Sequence, residues 1–228
     1  MNSTAKFLMN LTVFAAIAGS VAMAQTYGAR SLKNERANHP VFEVRVYDYA
    51  HLSRKTLQGA ESEANRIFSN AGVNVRWIDC PTSHDVLEAF PACSAPAGAT
   101  SNTLIIQTGA TAAGTKAGDV LGQADDQGSR RSYVYYGRIE NLAGGNTATS
   151  NILLGRVITH LMGRVLLGDN AYGKTGIMQD SWGYGQLNEI AGTQVLFTRD
   201  HARGMASRMT EQNQTLASSQ TQVNANEQ

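Results

Sequence analysis

The sequence predicts an α+β fold, a sandwich of one sheet and a few helices. Three observations carry that prediction. Two segments, Val41 to Tyr49 and Val73 to Ile78, alternate apolar and polar residues with the period of a half-buried strand. A third, Asn151 to Leu167, is apolar around most of a helical wheel, which marks a helix buried nearly all round. The elements follow in the order strand, helix, four strands, helix, and no shift in composition divides them into two domains.

Met1 to Ala24 has one cation, Lys6, then an apolar run from Phe7 through Ala18, then the small-residue tripeptide Ala22-Met23-Ala24. This is the pattern of a secretory signal peptide, and the run is shorter than the roughly 20 residues of a bilayer span. The mature chain is therefore expected to be secreted or periplasmic, without a membrane anchor. Losing residues 1–24 removes one Lys of 19 Lys and Arg and no acid, which leaves 18 basic against 18 acidic side chains. A neutral balance supplies no global field for nucleic acid or an anionic membrane. Residues 25–40 are polar, lack a hydrophobic period and end at Pro40, so a flexible leader is expected before the folded domain, 41–209.

In the first strand Phe42, Val44 and Val46 share one face, with Glu43 and Arg45 on the other. Ser53 is the expected N-cap of a helix that repeats Leu57, Ala60, Ala64, Ile67, Phe68 and Ala71 and closes at Gly72. The second strand leads into Cys80. Cys80 and Cys93, the only cysteines, are expected to pair in an oxidising compartment, closing a surface loop with little regular structure. By loop entropy such a bridge contributes about 3 kcal/mol.

Leu104 to Ile106 reads as a short interior strand, Asp119 to Ala124 and Ser132 to Tyr136 as two more. The Gly-rich stretches around 109–122 and 144–145 lack the Lys and Ser/Thr of a phosphate loop and read as connections. On the buried helix the polar line is Arg156, His160 and Arg164, at i, i+4 and i+8, and it points at a cleft or at an internal ion-pair network. Gln186 to Ala191 and Thr198 to Met209 read as helices, the second capped by Thr198 with Asp200 in its first turn. The polar residues 210–228 predict a disordered tail.

The stretch Val157 to Gly168, followed by Thr175-Gly176-Ile177-Met178 and Trp182, resembles the active-site region of secreted bacterial zincin-type, metzincin-like zinc metallopeptidases. The resemblance implies a zincin-like fold, with one mixed twisted sheet packed against helices and a central buried helix of the active-site type. In that family the helix reads His-Glu-x-x-His: two histidines four apart reach one zinc ion, and the Glu takes a proton from the metal-bound water. Carried over, the first ligand position is His160, which matches. The general-base position is Leu161, which takes no proton, and the second ligand position is Arg164, a permanent cation. The third ligand belongs in 169–172, which contains no His; Gly168 and Met178 keep the pattern of the helix end and of the turn below the metal. The motif is therefore degenerate, and zinc, the family's cofactor, is not expected here.

Arg164 is expected to stand in for the charge of the metal, paired with Asp169 or Asp180. Three functional readings remain open on these residues. The first is a non-catalytic binding or regulatory pseudoenzyme, whose partner is an extended peptide or protein paired with the edge strand near Asp119 to Ala124. The second is a metal-dependent hydrolase with a rearranged site built from His160 and carboxylates, with Glu140 or Glu189 as base; the third is a secreted structural domain with no ligand. Trp182 and Tyr184 line a groove or complete the core. The remaining histidines, His39, His51, His84 and His201, have no i+4 relation to His160.

Overall fold

The computed structural model describes residues 41–95, 98, 100–109, 120–125, 130–168, 171–179 and 194–226. All belong to one unit, Pro40–Gln228; the expected signal peptide (1–24) and leader (25–40) lie outside the described residues. Strand β1 (Val41–Asp48) buries Phe42, Val44 and Val46, as its alternation predicts. It pairs in parallel with β2 (Asn74–Cys80) on one side and β3 (Ser101–Gln107) on the other. Parallel neighbours need a crossover, and helix α1 (Arg54–Asn70) supplies the one between β1 and β2. Beyond β3 lie β5 (Arg131–Tyr135), also parallel, and β4 (Gly122–Ala124), antiparallel to β5 at the end of the sheet. The order is β2-β1-β3-β5-β4.

The second face of β1 is polar but not open to water. Arg45, only 7% exposed, donates to Glu43 and to the Ala95 carbonyl, and Arg76 of β2 joins the same carboxylate. Ala95 lies two residues beyond the loop closed by the Cys80–Cys93 disulfide, which is present. Where composition predicts little regular structure, this loop holds a 3-10 turn (His84–Ala89) and a one-turn helix, α2 (Pro91–Ser94). Pro91 sits at the first helical position, where its missing N–H has no intrahelical partner to lose. The Tyr47 hydroxyl, 3.2 Å from the Cys93 carbonyl oxygen, ties the loop to the sheet.

Helix α1 starts where Ser53 predicts it: the Ser53 hydroxyl accepts from the Thr56 N–H at 3.1 Å. It ends at Gly72, whose φ of +75° a residue with a Cβ adopts only under strain. After α3 (Tyr136–Leu142), too short to show a period in the sequence, comes α4 (Thr147–Leu167). Its first turn precedes the predicted Asn151, because Asn146 caps it by accepting from Thr149 N–H at 3.0 Å. The apolar period marks the buried stretch of a helix, not its cap. α1 and α4 cross in backbone contact: a Cβ on Gly155 would stand 2.5 Å from the Ala60 carbonyl oxygen.

Helix α5 (Arg199–Asn226) begins as predicted, with the Thr198 hydroxyl accepting from His201 N–H at 3.2 Å and Asp200 in the first turn. It also corrects the reading of the tail: instead of disorder from residue 210, the helix runs on to Asn226. Met205 and Met209 are fully buried and anchor its first half. Extending an anchored helix gains one hydrogen bond per residue without a new nucleation cost. The hydroxyls of Thr210, Thr215 and Ser218 bond back to carbonyls four residues earlier. The helix expected at Gln186 to Ala191 lies outside the described residues.

Candidate functional site

The polar line on α4 divides between two environments. Arg156, its side chain 5% exposed, turns to α1, where its Nε lies 2.9 Å from Glu63 Oε1. The same carboxylate takes two hydrogen bonds from Arg66, at 2.8 and 2.9 Å. Burial pushes the Glu63 carboxyl up, but the hydrogen bonds and charges of Arg66 and Arg156 outweigh it and hold the group below its ordinary value. This part of the line is an internal ion-pair network.

His160 and Arg164, one and two turns further on, face the turn after the helix. His160 Nδ1 lies 2.8 Å from the Ile177 carbonyl oxygen, so it donates there. The Arg164 guanidinium lies over the Tyr172 ring, 4.8 Å from its centroid, and the same ring is 6.3 Å from that of His160. The turn itself is closed by Gly173 N–H donating to the Met178 carbonyl at 2.8 Å, with Gly176 at φ +80°. Met178 is fully buried against α4: a Cβ on Gly163 would be 2.5 Å from its Sδ and 2.9 Å from Phe197. Gly163 thus lets the turn dock on the helix.

Leu161, 3% exposed, points to the sheet. A Cβ on Gly122 of β4 would be 2.7 Å from Leu161 Cδ1, so the leucine packs directly on the end strand. Gly168 closes α4 at φ +61°, with the Arg208 guanidinium of α5 lying against it. His160, Arg164, Gly168 and Met178 therefore come together around one helix end. Asp169, Asp180, Trp182, Tyr184 and Glu189 lie outside the described residues, so the expected pairing of Arg164 with Asp169 or Asp180 does too. Glu140 lies exposed on α3.

Tyr172, in a stretch (169–172) marked in the sequence only by its lack of His, is the residue against which both His160 and Arg164 rest. Nor does anything in the sequence mark the Ile177 carbonyl or the acid that meets Arg156. Among the described residues, no three His, Cys, Asp or Glu side chains form a group able to hold a metal ion.

Among solved structures, the chain is similar to the archaemetzincin of Methanopyrus kandleri, with a TM-score of 0.51 and 15% sequence identity. The likeness covers 76% of this chain and 98% of that one. At this identity it is a likeness of fold: the chain has a zincin-like fold, with a mixed five-stranded sheet packed against helices. No protein-family model matches the chain, and no curated protein matches it by sequence.

Proposed function

We propose that the chain is a non-catalytic binding or regulatory protein on this metallopeptidase-like fold, with α4 in the place of the active-site helix. One observation carries the reading: the residues at the general-base and second-ligand positions are both engaged in packing. Leu161 is pressed on Gly122, and Arg164 is stacked on Tyr172. Zinc, which the fold family implies, does not fit this set. One imidazole, one permanent guanidinium and a window without His do not make the three or four ligands such a site needs. No catalytic step is therefore derived through a metal.

The partner in this reading is an extended peptide that adds to the sheet beside β4 in a secreted or periplasmic setting. The terminal place of β4 in the sheet and the exposed Gln123 on it support that choice. A panel of extended peptides tested against the purified chain by fluorescence polarisation is expected to yield binders; a panel without one sinks the proposal. The orientation of His160 favours the alternative, a hydrolase with a rearranged site, since a ligating His ordinarily fixes its other nitrogen on a carbonyl. Metal analysis separates the two. One equivalent of zinc, stripped by chelator with a fall in Tm, would count against the non-catalytic reading and in favour of the hydrolase.

A further inference from the structure

At the C-terminal end of α4, between its last turn and the start of α5, lies a cavity of about 430 Å³. Its wall includes Tyr172, Thr198, His201 and Arg208, together with Gly173 and Gly204. Three of these residues bring hydrogen-bonding capacity that is unused among the described residues. His201 is only 8% exposed, yet its buried Nδ1 has no hydrogen-bond partner among the described residues. Arg208 is half-buried, and among the described residues no acid forms an ion pair with it. The acid on the wall, Asp200, is bonded to the exposed Arg203 at 2.6 Å. The Thr198 hydroxyl accepts the His201 N–H and keeps its own proton to donate.

We infer that this cavity is a binding site for a carboxylate, held by the Arg208 fork with the Thr198 hydroxyl and the His201 imidazole beside it. A guanidinium matches a carboxylate with two parallel hydrogen bonds. Leu167 and the Tyr172 ring give the body of the ligand an apolar wall, and the volume is that of a small-molecule site. Burial lowers the His201 pKa from its ordinary value, against the pull of Asp200, so the imidazole is neutral at pH 7 and offers both a donor and an acceptor. The carboxylate has two sources, a free aryl or alkyl acid or the C-terminus of a peptide. The inference does not rest on the proposed function, although the two share the Tyr172 ring, on which Arg164 stacks.

The test follows the His201 ring resonances and the heat of binding as the purified chain is titrated with benzoate, with a short peptide ending in a free carboxylate, and with the same peptide amidated. Either acid is expected to shift the His201 signals, and the amidated peptide is not. A response to benzoate assigns the source as a free acid, and a response to the peptide alone assigns it as a C-terminus. Arg208→Met should weaken binding about tenfold or more, since it removes a charge-assisted pair. If that variant does not fold, Arg208→Lys, which keeps the charge and loses the fork, replaces it with the same expected direction. Silence toward both acids overturns the inference, as does equal binding of the amidated peptide or unchanged affinity in the folded Arg208 variant.

Discussion

Replacing Glu63 by Ala should destabilise the fold by about 3–5 kcal/mol, the range for removing one partner of a buried ion pair. The structure puts the change in that range. The Arg156 side chain is 5% exposed and its Nε is 2.9 Å from the carboxylate, whereas Arg66, the second cation on Glu63, is 36% exposed and contributes under about 1 kcal/mol. Alanine keeps the Cβ that packs beside Gly155, so the loss is one of charge pairing more than of volume. Urea denaturation should show a lower midpoint at an unchanged slope, with Tm falling by roughly 6–20 °C for a domain of this size. The double variant Glu63→Leu with Arg156→Met should recover most of the loss, because it removes both charges together. Acid should act like the mutation. Glu63 titrates below its ordinary 4.5, so its contribution is complete above that pH and disappears as pH falls through the lower folded value. A loss below about 1 kcal/mol, or a double variant as unstable as the two single changes summed, would refute the coupling.

Glu61, two residues away on α1, should show the opposite pH dependence. Burial first, and the charge of Asp79 second, raise its pKa to about 7, so its ionisation destabilises the fold as pH rises from 4.5 through 7. Glu61→Gln is expected to raise stability at pH 8 by about 1–2 kcal/mol, after allowance for its partial exposure, and to leave it unchanged at pH 4; equal Tm shifts at both pH values would contradict this. Gly163→Ala should lower stability by about 1–3 kcal/mol although alanine favours helix, because the added methyl meets Met178 and Phe197. A rise in Tm would mean that the turn does not press on α4 there. Cys80→Ser with Cys93→Ser should cost about 3 kcal/mol by urea denaturation, and reductant should destabilise the parent chain but not the variant.

Local features were legible because they depend on a few neighbouring residues. The Ser53 cap, the Gly72 stop and the Thr198 cap describe bonds made within four residues, and the alternation of β1 follows from the two-residue period of a strand. The same locality explains the misses. The tail beyond residue 210 reads as disordered from its own composition, but its helix grows from buried Met205 and Met209. The disulfide loop reads as irregular, yet Tyr47 of β1 holds it in place and Arg45 holds Ala95 beyond it. The line of Arg156, His160 and Arg164 reads as one face, while the partners that separate its functions, Glu63 and Tyr172, come from other elements.

By itself the sequence determined the strands β1 and β2, the buried helix, the caps at Ser53 and Thr198 and the pairing of its only two cysteines, since each follows from residue identity and short-range spacing. Only the tertiary structure decided the strand order, the packing of Leu161 on Gly122 and the cavity that His201 shares with Arg208. These depend on groups far apart in the chain, and only the packing of sheet and helices into one core brings them within a few ångströms of one another.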